Sequence, residues 1–148
     1  QIMFQDGIKM TGELRLTVTN PEGDVTQEVV VPNLVVTVGK NFIASRMKDA
    51  TATAMSHMAI GDDATTVALT QTTLINELSR ETLYDASYSG TSATFSAAFG
   101  PGSGTGDIVE AGIFNDSSAG TMLCRTTFPV ITKNELETIS ITWVVSVG

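Results

Sequence analysis

One cysteine, one histidine and eight basic residues are spread over 148 positions, and each shortage closes off a class of chemistry. A single thiol, Cys124, can neither close an intrachain disulfide nor build a thiolate zinc cluster. With His57 as the only imidazole, any Ser/His/Asp or Cys/His mechanism must use it as base. It sits beside Met58 in an apolar stretch, with no nucleophile motif nearby. Sixteen acidic residues outnumber the basic ones to give a formal charge of -8. Nucleic-acid binding relies on basic patches that release counterions from phosphates, so direct DNA or RNA contact is not expected. No apolar run approaches the roughly 20 residues of a membrane span. The N-terminus lacks the basic start and long apolar stretch of a signal peptide, and Gln1 reads as a processed or trimmed start. The expectation is a soluble protein that meets no membrane and is not exported by a classical route.

Apolar residues make up 42% of the chain and charged residues only 16%, which is too apolar for a disordered segment and enough for a folded core. At this length one domain, residues 1–148, is expected. Thr, Ser, Val, Ile and Gly dominate, in short runs punctuated by Gly, Asn, Asp and Pro, as in many-stranded antiparallel proteins. Glu13-Leu14-Arg15-Leu16-Thr17-Val18-Thr19 alternates with the period of two of a strand with one wet face. The turn residues Asn20-Pro21-Glu22-Gly23-Asp24 then predict a hairpin. Its return strand covers residues 25–31 and ends at Pro32, which cannot donate to a ladder.

From Thr37 the apolar spacing lengthens through Val38, Phe42, Ile43 and Met47, predicting a helix of about ten residues with Thr37 as cap. A short strand, His57-Met58-Ala59-Ile60, runs into the turn Gly61-Asp62-Asp63. Leu74, Ile75 and Leu78 suggest a short helix or a few turns within 70–79. Further strands are predicted at 81–88, 91–99, 107–115, 121–130 and 137–147. The Gly-rich stretch Gly100-Pro101-Gly102-Ser103-Gly104-Thr105-Gly106 reads as the most flexible piece, being too short for an interdomain linker. Seven or eight strands with one helix inserted after the second predict a mainly β fold: an antiparallel β-sandwich, jelly-roll-like in character.

No constellation of catalytic, metal-ligating or cofactor-binding residues emerges, and no cofactor is expected. Alternation along Thr121-Met122-Leu123-Cys124-Arg125 turns Met122 and Cys124 to one face, where a free cysteine acts as a small apolar residue. Asp62-Asp63 and Asn115-Asp116 fit turn chemistry and lack the alternating oxygen spacing of a calcium loop. The glycines of 100–106 are followed by neither a phosphate-binding lysine motif nor a dinucleotide fingerprint. A carbohydrate-active enzyme on a sandwich scaffold would need two carboxylates across a cleft, and Asp107 and Glu110 are the one pair to test, though alternation places them out of phase. The run Ile139-Ser140-Ile141-Thr142-Trp143-Val144-Val145-Ser146-Val147 reads as a central core strand or as one partly covered by another subunit, with Trp143 and Val145 as interface candidates. Met3, Phe4 and Ile8 form an apolar set ahead of the first clear strand, and residues 1–11 read as an N-terminal arm reaching a neighbour.

Asn33-Leu34-Val35, Gly39-Lys40, Met58-Ala59-Ile60-Gly61, then Leu74, Glu77 and Arg80 follow one another in an order that resembles small β-rich structural proteins of tailed bacteriophages. The likeness continues through Ile108-Val109-Glu110-Ala111-Gly112-Ile113-Phe114, Gly120-Thr121-Met122-Leu123-Cys124-Arg125, Phe128-Pro129-Val130-Ile131-Thr132-Lys133 and Ile139-Ser140-Ile141-Thr142-Trp143. It covers Asn33 to the end of the chain and leaves the first 32 residues unmatched. The resemblance implies a non-enzymatic virion component, assembled in the host cytoplasm. That component is either a capsid decoration (cement) protein or a tail-fibre, collar or receptor-binding module. It also implies a homo-oligomer, commonly a trimer, whose partners are the major capsid protein or other virion subunits. The absence of shaft repeats and coiled-coil heptads favours decoration. If the apolar set is an arm, Phe4→Ala combined with Ile8→Ala weakens particle association in a co-sedimentation assay and leaves the melting temperature of the isolated chain unchanged. Unfolding of the double variant would place these residues in the core instead.

Overall fold

The computed structural model describes residues 9–48 and 52–148; Met3, Phe4 and Ile8 lie outside them. Strand β1 (Met10–Thr19) shows why alternation was legible: Leu14, Leu16 and Val18 are fully buried, while Glu13 and Arg15 face solvent. The hairpin turn follows as its residues predict. Asn20 Oδ1 accepts hydrogen bonds from the Glu22 and Asp24 amides at 3.1 and 2.9 Å, and Gly23 takes a φ of 89°. Strand β2 (Val25–Pro32) returns beside β1.

Past Pro32 the chain leaves this sheet. Strand β3 (Leu34–Val35) pairs with a strand of the opposite sheet, and helix α1 (Thr37–Lys48) follows directly. The Thr37 amide donates to the Leu69 carbonyl at 2.9 Å, so the first turn is tied to a later loop. Gly39 is buried with the Leu123 backbone against its Cα, a space that any side chain would invade. The remaining strands are β4 (His57–Gly61), β5 (Glu77–Thr82), β6 (Asp85–Ser89), β7 (Ser92–Phe99), β8 (Gly106–Phe114), β9 (Met122–Lys133) and β10 (Thr138–Val147). They form two five-stranded antiparallel sheets, in the orders β2-β1-β10-β7-β6 and β3-β9-β8-β4-β5. One core joins the inner faces, with Leu14, Phe99, Ile141 and Trp143 from the first sheet meeting Met58, Ile60, Ile108 and Ile113 from the second.

Three expectations are corrected. Residues 81–88 are not one strand. The Leu83 amide bonds the Ser56 carbonyl next to β4 and the Tyr84 amide bonds the Ser96 carbonyl of β7, so the chain changes sheets between neighbouring residues. Of the short helix or few turns expected within 70–79, the structure shows the turns, which run into the start of β5. Met122 and Cys124 do not share a face. The register slips between Ile113 and Phe114, giving Leu123 no partner, and Met122 packs with an outer cluster while Cys124 joins the main core. The 100–106 stretch is pinned rather than loose. The Lys133 ammonium and the Ser103 amide bond the Gly100 carbonyl, the Gly102 amide bonds Glu135, and buried Gly104 rests on Ile60.

The outer face of the β3-β9-β8-β4-β5 sheet is covered by the irregular loop 62–76. Leu74 from that loop packs on Val36, Ala59, Phe114 and Met122. Beneath the loop lies an ion pair, Arg125 and Glu110, with both side chains fully buried and Nη2 3.0 Å from Oε1. Glu110 also accepts from the amides of Ile75 and Asn76 at 2.9 Å and of Asp63 at 3.2 Å. Arg125 in turn donates to the Thr65 and Asp63 carbonyls and to the Gln71 side chain. A loop without a ladder must find partners for its buried backbone groups, and these two side chains supply them. Replacing Arg125 by Met leaves the carboxylate buried and unpaired, and urea unfolding is expected to show a loss of about 3–5 kcal/mol.

Candidate functional site

The residues with chemical potential are held in structural roles. His57 is half-buried at the start of β4. Its Nδ1 lies 2.7 Å from Ser56 Oγ and its Nε2 3.3 Å from Thr82 Oγ1, with no carboxylate among these partners. Asp63 caps its own turn through the Thr65 hydroxyl and amide, which hold its carboxyl below the usual range against a smaller opposing effect of burial. Asn115 and Asp116 serve the β8–β9 turn, Asn115 Oδ1 accepting from the Thr121 amide at 2.7 Å. Burial also pulls the Lys133 ammonium below its ordinary value, with Glu137 opposing. Arg80 lies over the Phe114 ring at 3.9 Å and is chelated by Glu77 and the carbonyls of Asp116 and Ala119.

The Asp107 and Glu110 pair does not converge on a cleft. Asp107 is exposed and bonds the Thr132 hydroxyl at 3.0 Å, whereas Glu110 is enclosed beneath the loop with its oxygens occupied by amides and Arg125. A β-bulge between Ile108 and Glu110 separates their surroundings. Among the described residues no group of three or more His, Cys, Asp and Glu gathers as metal ligands, and no helix is long and apolar enough to cross a membrane.

Trp143, named in the sequence as an interface candidate, is corrected to the core: it is fully buried in the middle of β10, between β1 and β7. Burial alternates along β10, and Trp143 lies on the face turned into the core, whereas Thr142 on the opposite face is exposed. Val145, two residues on, is almost covered but forms part of the floor of an open cleft of about 590 Å³ at one end of the sandwich.

This cleft exists because the two sheets are unequal in reach. On the β10-β7-β6 side the inward row continues past the end of the opposite sheet through Val145, Ala93 and Tyr88, which are cross-strand partners. The facing wall is Phe42 and Ile43 of α1 with Leu123 of β9. Strand β6 is exposed along its whole length, and Tyr88, on the row that elsewhere fills the core, is 84% exposed. Among the described residues β6 pairs with β7 alone and so presents an open edge. Among the described residues Arg46 is the one charged residue lining the cleft, held over Phe42 at 5.9 Å and bonded to the Ala52 carbonyl at 2.6 Å. The arrangement offers apolar area, a free strand edge and one cation, which suits a protein segment. Sequence reasoning missed it, since the only signal was Tyr88 on the apolar phase of a strand whose break after residue 82 was not visible.

Cys124 is fully buried, and burial pushes its thiol well above the ordinary value. The thiolate is the reactive form. Iodoacetamide at pH 8 is therefore expected to leave the native protein unlabelled over a period in which the urea-unfolded chain labels fully, as read by intact mass. No family model, curated protein or solved structure matches the chain.

Proposed function

We propose that this chain is a structural subunit of a tailed-phage virion, a capsid decoration protein that docks on the assembled head and stabilises it. The observation that carries the proposal is the ordered series of segments from Asn33 to Trp143 that resembles such proteins. The sandwich and the roles of its polar residues agree with it. Glu110, Arg125, His57 and Cys124 serve packing, while the open surface is an apolar cleft beside a strand, β6, whose outer edge has no partner among the described residues. Binding through such a surface adds stability by mass action, because only the assembled state offers the partner. In this reading the partners are the major capsid protein and further copies of the chain, assembled as a trimer.

A tail-fibre, collar or receptor-binding module is the second reading, favoured by exposed acidic turns such as Glu22-Gly23-Asp24 at the end of the sandwich away from the cleft. Copy number separates the two. Quantitative mass spectrometry of purified particles is expected to find the chain at a copy number comparable to the major capsid protein, together with a rise in the heat or chelator resistance of heads to which it is added back. A handful of copies per particle would move it to the tail or collar, and failure to bind heads, tails or fibres would end the virion assignment.

A further inference from the structure

We infer that the cleft between α1 and the β10-β7-β6 end of the sandwich is the seat for residues 1–8 of a second copy of this chain, so that copies are linked by their N-terminal segments. The inference concerns how the chain meets itself and stands whether or not it sits on a virion.

Three observations lead there. The first is where the described chain begins. Lys9 is fixed at the sheet end by its carbonyl, which accepts from the Gly148 amide at 2.6 Å, and Met10 with its cross-strand partner Val147 lines the cleft. Strand β1 runs away from this end, so the described chain begins at the rim of the cleft. Eight residues can span at most roughly 26 Å at about 3.3 Å each, enough length to meet a neighbouring molecule.

The second is composition. Ile2, Met3, Phe4 and Ile8 give the segment four large apolar side chains in eight residues, matching a cleft whose walls are Phe42, Ile43, Leu123 and Val145. Its single charged residue is Asp6, and among the described residues the single charged one lining the cleft is Arg46. A buried apolar contact supplies affinity, and the charge pair sets the register of the segment along the groove.

The third is the open edge of β6 beside the cleft. Among the described residues its outward backbone groups have no strand partner and can pair with an extended segment, and Ala86 and Tyr88 would then be covered as the rest of their row is. Strand addition at a free edge gives main-chain hydrogen bonds without demanding a particular sequence.

Charge exchange in the full-length chain tests this, with sedimentation equilibrium as readout and a thermal melt confirming that each variant folds. The unaltered chain is expected to run heavier than its 15.6 kDa single-chain mass. Asp6→Arg and Arg46→Glu should each weaken self-association several-fold, because like charges meet in both. Mixing the two variants should recover association above that of either alone, since a segment of one variant finds an opposite charge in the cleft of the other. Phe4→Asp should weaken association at least tenfold, and Ala86→Arg, on the cleft wall, should do the same. A single-chain mass for the unaltered protein at high concentration overturns the inference, as does a mixture that fails to recover. If Ala86→Arg breaks association while Phe4→Asp leaves it intact, the cleft joins copies through some other surface and the segment is not its occupant.

Discussion

The buried pair of Glu110 and Arg125 is the interaction on which the outer half of this molecule depends. Desolvating two charges is expensive, and their mutual attraction offsets that cost only where further hydrogen bonds satisfy both groups. Here the carboxylate takes three backbone amides from loop 62–76, and the guanidinium gives hydrogen bonds to two of its carbonyls. The pair thereby does for an irregular loop what a ladder does for a strand. With the loop held down, Leu74 seals Val36, Ala59, Phe114 and Met122, which would otherwise form an apolar patch on the sheet's outer face. The same loop receives the Thr37 amide, so helix α1 is anchored to it as well.

That anchoring bears on the open end of the sandwich. The position of α1 sets one wall of the cleft, and buried Gly39, pressed on the Leu123 backbone, allows the helix to lie close to β9. The other wall follows from the jump between Leu83 and Tyr84, which carries β6 to the far sheet and leaves it with a single neighbour. One side of the protein is thus closed by a polar network and one end is left apolar and unfilled. Such a division suits a subunit whose surface is completed by another chain, the reading proposed above.

Much of this architecture could be read before any coordinates. Alternation gave the phase of β1, because period two holds wherever one face is wet. Asn20, Pro21 and Gly23 marked the hairpin, and the change to three-to-four-residue spacing at Thr37 marked α1. The elements that escaped are those where the backbone departs from its period. The bulge at Leu123 reversed the relation of Met122 to Cys124, and the break after β5 hid inside a run that looks continuous. The glycines of 100–106 suggested looseness, yet contacts from Lys133, Glu135 and Ile60 hold them in place. Glu110 and Arg125 did leave a trace, since each is a charged residue set in an apolar strand. Burial of a charge implies a partner, but a separation of 15 positions along the chain gave no indication of which.

Composition and periodicity alone settled the class of the fold, the closing of disulfide and thiolate-zinc chemistry, and the inward face of the regular strands, because those follow from residue identity and local geometry. Which strand crosses to which sheet, which charges meet, and which apolar residues stay uncovered were decided by long-range contacts. Trp143 and Tyr88 make the point: both lie on the inward phase of their strands, yet one is sealed between β1 and β7 and the other stands in the open, because only tertiary packing decides how far the opposite sheet extends.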